Sequence, residues 1–347
     1  MKALFLAGGI GTRLRPLTDE LPKPLVPIMA KPLLERNMLK LKDCGIDEII
    51  LSTCYKADKI EKYFGEGTEL GLKIQYVAED TPLGTGGAIK KAQEFLDDTF
   101  IVFNADILTD IDITDMIKFH KEKSAAVTVA VTKVEDPSDY GIIEYDKNFY
   151  ANSFIEKTDS TDIKPDYINA GIYIFEPNVL NEIPEEQMVS IEKELLPLLL
   201  EKEYAIGAYK SDAYWMDIIN VEKYNQAHQD ILNGTCSLPE FKEENQDVFI
   251  GENTTIHATA KIIPPVYIGD NAKIGAYSTI GPNSVIGNGC RVGISNIIID
   301  SIVWDKMSIQ NNSTFSSIIL SSGFMVCKTV TNTKATETEI AGKNVAL

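Results

Sequence analysis

The residues best suited to chemistry lie at the start of the chain, in Leu6-Ala7-Gly8-Gly9-Ile10-Gly11-Thr12-Arg13-Leu14-Arg15-Pro16-Leu17-Thr18, followed closely by Pro22-Lys23-Pro24. Glycines after a short apolar run let backbone N–H groups approach a ligand closely, and N–H groups placed in this way bind phosphate. Arg13 and Lys23 bring positive charge to a chain that otherwise carries 33 Lys and Arg against 51 Asp and Glu. Composition and position together describe a polyphosphate site. It is neither of the common glycine-rich kinds, because both the P-loop pattern and Gly-x-Gly-x-x-Gly are missing. Asp106 stands just after the apolar run 100–103, in Asn104-Ala105-Asp106. By itself an aspartate there is a cap or turn former, and Asp110 and Asp112 compete with it.

The elements that must position these residues follow from the hydrophobic pattern. Residues 2–7 form a buried strand that feeds the glycine cluster. Residues 33–44 have helical spacing and end at Gly45, and 48–52 is a strand. Next come strand 72–77, helix 87–96, strand 99–104, helix 114–123 and the β-branched run 125–131. Strands alternating with helices predict an α/β sheet covered on both faces, with ligands at the carboxyl ends of its strands. Gly8, Gly9 and Gly11, the loop 79–87 and Asp106 all fall at such ends.

After about residue 236 the pattern changes. Apolar residues recur every six positions at Ile250, Ile256, Ile262, Ile268, Ile274, Ile280, Ile286, Val292 and Ile298, and glycine follows six of them. That period fits neither a helix nor a hairpin, and it predicts a parallel β-helix whose coils stack their aliphatic residues inward. Beyond Ile298 the register slips by one, to Val303, Ile309 and Phe315. We divide the chain into a domain over 1–235, a linker over 236–247, a β-helix over 248–327 and a tail over 328–347 with no readable period.

A net charge of −18 repels a nucleic-acid backbone, so no nucleic-acid partner is expected. Five scattered cysteines without Cys-x-x-Cys spacing read as free thiols. No apolar run reaches the roughly 18 residues that span a bilayer, and no signal peptide is visible, so the expected location is cytoplasmic with no membrane partner. His120, His228 and His257 lie in no motif and read as surface or packing residues.

The opening motif, with its Thr-Arg-Leu-x-Pro-Leu-Thr extension and Pro-Lys-Pro, resembles the sugar-nucleotide pyrophosphorylases over essentially 1–235, and the hexapeptide tail extends the likeness. The resemblance implies a Rossmann-like mixed-sheet nucleotidyltransferase domain followed by a left-handed parallel β-helix. It also implies an enzyme joining a nucleoside triphosphate to a sugar 1-phosphate with release of pyrophosphate. In that family Leu6, Ala7, Gly8, Gly9, Gly11 and Thr12 would wrap the triphosphate, Arg13 would hold the departing pyrophosphate and Lys23 would bridge phosphates at the reacting centre. Asp106 and Asp217, the latter in Trp215-Met216-Asp217, match aspartates that bind Mg²⁺. Ile219 stands where a glycine usually follows the second. Gly141, Glu156, Lys157 and Asn169 match residues that contact the sugar phosphate, although Thr158 replaces a common proline. A sugar phosphate is largely dianionic at neutral pH, so no general base is required.

The loop Glu79-Asp80-Thr81-Pro82-Leu83-Gly84-Thr85-Gly86-Gly87 occupies the family's base-reading position, which assigns Glu79, Pro82, Gly84 and Thr85 to the nucleotide. A carboxylate only accepts hydrogen bonds. Guanine offers it two adjacent donors, N1–H and the 2-amino group, whereas uracil and thymine flank one N–H with two acceptors. Glu79 therefore points to GTP, and the runs 133–141, 167–173, 190–194 and 215–217 resemble family members that use mannose 1-phosphate. The competing readings are a thymidylyl- or uridylyltransferase acting on glucose 1-phosphate, a non-catalytic sugar-nucleotide-binding regulatory subunit, and a hexapeptide acyltransferase using His257. Open end coils of a β-helix predict a homo-oligomer with that domain in the interface.

Overall fold

Ala3, Leu4 and Phe5 are entirely buried, as the middle of a strand covered on both faces must be. In the computed structural model, which describes residues 1–134, 136–138, 140–155, 167–241 and 247–328, this strand is central in a nine-stranded sheet. Lys2–Leu6 pairs in parallel with Glu48–Thr53 on one side and Phe100–Asn104 on the other, and Lys73–Ala78 extends the parallel edge. Ile168–Phe175 runs antiparallel to Phe100–Asn104 and to Val127–Thr132, which makes the sheet mixed. Helices Ala57–Phe64, Gly84–Lys91 and Ile113–Lys123 alternate with the strands. Leu4, Ile50, Val102, Val129, Tyr173 and Phe175 belong to a single apolar core.

One helix begins earlier than its glycines suggest. The pattern predicts a start at Gly87, but the helix runs over Gly84–Lys91. A Cβ at Gly84 would lie 2.6 Å from the Val189 carbonyl oxygen, and one at Gly87 would lie 2.5 Å from that of Gln187. Gly86 N–H donates to Val189 O at 2.8 Å and Val189 N–H donates to Leu83 O at 2.9 Å. These glycines let a helix pack directly on backbone from a distant segment.

By compactness the chain divides into two units. One holds Met1–Ile10, Pro22–Pro24 and Leu34–Trp215, and the other holds Gly11–Leu21, Leu25–Leu33 and Met216–Leu347. In the second unit the hexapeptide segment forms three parallel ladders. Ile250, Ile268 and Ile286 stack in register at 18-residue intervals. Ile286 then pairs with Val303 and Ile298 with Phe315, so each later coil is one residue shorter. The register slip is thus a trimmed coil, and the β-helix continues to Ile318–Leu320, where Met325–Cys327 folds back antiparallel.

Helix Val221–Leu232 belongs to this unit and is capped by the Asn220 side chain, which accepts from Lys223 N–H at 2.8 Å. Its Tyr224 is fully buried, donating to Pro27 O at 2.8 Å and accepting from Trp304 Nε1–H at 3.0 Å. Tyr224→Phe strands both partners in an apolar setting and is expected to lower stability by about 1–3 kcal/mol, read from the urea midpoint. An unchanged midpoint would mean that water replaces the hydroxyl.

Candidate active site

Three parallel strands end side by side. Leu6 is in register with Ser52 and with Asn104, and Ala7 N–H and Glu79 N–H continue the ladder to Ser52 O and Thr53 O at 2.9 and 2.8 Å. A cavity of about 340 Å³ opens over these ends. Leu6, Ala7, Gly8 and Gly9 form one wall, Glu79, Pro82, Gly84 and Thr85 another, and Lys23 and Asp106 close it. Ten of the residues singled out from sequence therefore share one cavity. Cys54, Asn104 and Ala88, which sequence reasoning passed over, also line it.

Lys23 Nζ and Asp106 Oδ2 form an ion pair at 2.5 Å, with the lysine side chain 13% exposed and the aspartate 32%. Asp106 Oδ1 has no hydrogen-bond partner among the described residues. Glu79 is held at both oxygens, accepting from Ser52 Oγ–H at 2.6 Å and from Leu83 N–H at 2.9 Å. Beside it, burial raises the Cys54 thiol pKa, and the Glu79 and Asp80 carboxylates add to the shift. Cys54 is therefore a neutral wall residue at pH 7.

Gly141 and Asn169 are neighbours, since Gly141 O accepts from Asn169 N–H at 2.9 Å. The strand Ile168–Phe175 shifts register between Asn169 and Tyr173, and the Asn169 side chain turns back to accept from Gly171 N–H at 2.9 Å. Irregularities of this kind re-aim side chains next to sites. Gly171 has φ +70°, and a Cβ there would lie 2.5 Å from Asn104 Nδ2, so this segment abuts a cavity-lining residue. The Tyr140 and Trp215 rings meet edge to face at 5.4 Å, and Trp215 Nε1–H donates to Ala170 O at 2.8 Å.

A chain of side chains links Asn169 to Thr85. Asn169 Nδ2 donates to the Tyr173 hydroxyl at 2.8 Å, which donates to Glu192 Oε1 at 2.7 Å, while Thr85 Oγ1 donates to Glu192 Oε2 at 3.2 Å. Burial and the Glu192 carboxylate hold the Tyr173 pKa well above that of a free phenol. Glu192 lies in the run 190–194 that carries part of the sequence resemblance, but no role of its own could be read there, because its partners are dispersed along the chain.

Gly11, Thr12, Arg13 and Asp217 fall in the second compact unit. Gly11 takes φ 69° ahead of the short turn Thr12–Leu14, which leaves Arg13 exposed. Asp217 is buried at the end of Trp215–Asp217. Glu156 and Lys157 lie outside the described residues. The histidines are used structurally. His120 is buried against Thr128 Oγ1 at 2.8 Å and Glu176 Oε1 at 3.1 Å, with its pKa lowered mainly by burial. His228 accepts from Met29 N–H at 3.1 Å and donates to Tyr224 O at 2.9 Å. His257 is exposed beside Thr259.

The sequence profile of the Nucleotidyl transferase family matches residues 2–234, and that of the bacterial transferase hexapeptide matches 247–282 and 268–295. The chain belongs to the nucleotidyl transferase family. One relative in it is the mannose-1-phosphate guanylyltransferase of Mycobacterium tuberculosis (strain ATCC 25618 / H37Rv), 37% identical over 263 residues, which are 75% of this chain and 73% of that protein. Another is the UTP–glucose-1-phosphate uridylyltransferase of Synechocystis sp. (strain ATCC 27184 / PCC 6803 / Kazusa), 38% identical over 67% of this chain and 64% of that protein, just under two thirds of its length. Among solved structures, HddC from Yersinia pseudotuberculosis complexed with GMP-PN is similar at 33% identity and a TM-score of 0.56, covering 66% of this chain and 98% of that one. Enzymes of the family use a divalent metal ion. Among the described residues no helix is long and apolar enough to cross a membrane.

Proposed function

We propose that this chain condenses GTP with mannose 1-phosphate to give GDP-mannose and pyrophosphate. The observation that carries the reading is the cavity over the strand ends, where a glycine turn, a Lys23–Asp106 ion pair and the Glu79 carboxylate face one space. The wider support is the likeness to a mannose-1-phosphate guanylyltransferase and to a structure bound to GMP-PN.

In the proposed reaction a phosphate oxygen of mannose 1-phosphate attacks the α-phosphorus of GTP. The bond from that phosphorus to the α–β bridging oxygen breaks, and its electron pair leaves on pyrophosphate. The nucleophile is already anionic, so catalysis consists of alignment and charge neutralisation. Backbone N–H groups around Gly8 and Gly9 would cradle phosphate oxygens, Lys23 would neutralise charge at the transferred group, and Arg13 would hold the pyrophosphate. Glu79 would accept from guanine N1–H and the 2-amino group, and each of its oxygens keeps a further lone pair for this. Gly141 and Asn169, with Glu156 and Lys157, would bind the sugar phosphate.

Asp106 fits a magnesium ion, since it presents a hard oxygen donor whose Oδ1 lacks a protein partner among the described residues. Asp217 would be the second ligand. Magnesium takes one or two carboxylates plus substrate oxygens, and bound here it would offset the repulsion between the two phosphate groups. Residues 1–235 are assigned the chemistry and 248–327 a homo-oligomeric interface, in a protein of the cytoplasm.

Pyrophosphate release measured with GTP, UTP, dTTP and ATP against mannose and glucose 1-phosphates tests the reading. GTP with mannose 1-phosphate is expected to give the highest kcat/KM. A clear advantage for UTP or dTTP would instead favour the uridylyltransferase likeness.

A further inference from the structure

If Glu79 reads the base, its selectivity depends on how its carboxylate is held. Ser52 is completely buried at the end of Glu48–Thr53, and its hydroxyl donates to Glu79 Oε1 at 2.6 Å. Leu83 N–H holds the other oxygen at 2.9 Å, and Glu79's own N–H is tied to Thr53 O at 2.8 Å. The carboxylate is thus fixed at both oxygens and the backbone behind it at a third point, each oxygen keeps one further acceptor position, and Glu79 lines the cavity. Gly8 stands directly alongside, since a Cβ there would lie 3.5 Å from Glu79 Oε1.

We propose that Ser52 is a positioning residue for base selection, acting with the Leu83 N–H as a clamp that presents Glu79 as two fixed acceptors. This inference rests on the guanine reading above. A carboxylate free to turn would meet a single-donor base almost as well as a two-donor one, because rotation could hide the surplus acceptor. A fixed one leaves a buried acceptor facing the acceptor edge of uracil or thymine, and discrimination follows from that unpaired contact.

The clamp also dictates how an amide would sit. Leu83 N–H can only donate, so it would select the carbonyl oxygen of a glutamine at position 79. The –NH₂ would then face Ser52, whose hydroxyl can accept as well as donate. One amide hydrogen would remain for the cavity, giving a donor where the carboxylate gives an acceptor. Ser52 and Leu83 would therefore enforce either base preference, with position 79 choosing between them.

The test is kcat/KM for GTP and UTP at fixed mannose 1-phosphate in the full-length protein, for the wild type and for Ser52→Ala, Ser52→Thr and Glu79→Gln. Ser52→Ala is expected to lower the GTP-to-UTP ratio by at least about tenfold, the scale of a lost hydrogen bond to a charged group. The KM for mannose 1-phosphate should stay unchanged, and Ser52→Thr should restore the ratio. Glu79→Gln is expected to move the preference toward UTP. If Ser52→Ala lowers activity with both nucleotides equally and keeps the ratio, Ser52 is structural and the proposal is overturned, while a shift in Glu79→Gln would leave the guanine reading standing. If Glu79→Gln also keeps the ratio, the guanine reading itself fails. Should Ser52→Ala not fold, Ser52→Cys fills the same space with a poor donor and is read in the same way.

Discussion

Asp106→Asn is expected to reduce kcat/KM for nucleotidyl transfer by at least about a thousandfold while leaving the fold intact. The substitution keeps the shape of the side chain and an amide oxygen for Lys23, 2.5 Å away in the native protein. What it removes is the negative charge that would hold a divalent cation at the carboxyl end of Phe100–Asn104. The ion pair is partly exposed, so its loss as a charged pair should change stability by about 1 kcal/mol or less. Activity and stability therefore separate. Initial rates over a magnesium series, beside a thermal melt, check both, and part of the loss should be recovered at high magnesium. A rate within a few-fold of wild type at low magnesium would take Asp106 out of the metal site.

Lys23→Ala comes next in size, with an expected loss of several hundredfold or about 3–4 kcal/mol of transition-state stabilisation, the scale found on removing a single preorganised electrostatic contact. Among the described residues, Lys23 is the only basic side chain that lines the cavity. Its compact ammonium can exchange Asp106 for phosphate oxygens without moving far. Lys23→Arg should rescue poorly, because a planar fork does not replace a compact point charge. Stopped-assay kinetics that separate kcat from KM decide the role. A fall in kcat assigns Lys23 to the reacting centre, and a rise in KM for GTP alone would confine it to binding.

How much of this could be read from the chain depended on how local each cause is. The glycine turn, Lys23 and Asp106 were legible because strand ends and phosphate chemistry impose residue types within a few positions. The β-helix was legible because its coil repeats in sequence, and the slip after Ile298 was visible as a slip. Its cause was not, since a coil one residue shorter is defined by the pairing of Ile286 with Val303. The helix start at Gly84 was hidden because glycine weakens a helix locally, while its reason lies across the fold at Val189. Ser52 looked like any strand residue, and Glu192 stood in the run 190–194 with no role of its own. Their roles exist only once Glu79, Thr85 and Tyr173 come into reach. The placement of Arg13 and Asp217 in the second compact unit was equally out of view, because compactness is a property of contacts and not of order along the chain.

The central claim is that the cavity bounded by Gly8, Lys23, Glu79 and Asp106 is where the nucleotide reacts. A crystal structure grown with magnesium and a GTP analogue that cannot be cleaved tests it most directly. The account predicts guanine on the Glu79 carboxylate, phosphates along Gly8 and Gly9 reaching Lys23, and the cation on Asp106. Nucleotide bound elsewhere, or guanine turned away from Glu79 with the phosphates out of reach of Lys23, would contradict it.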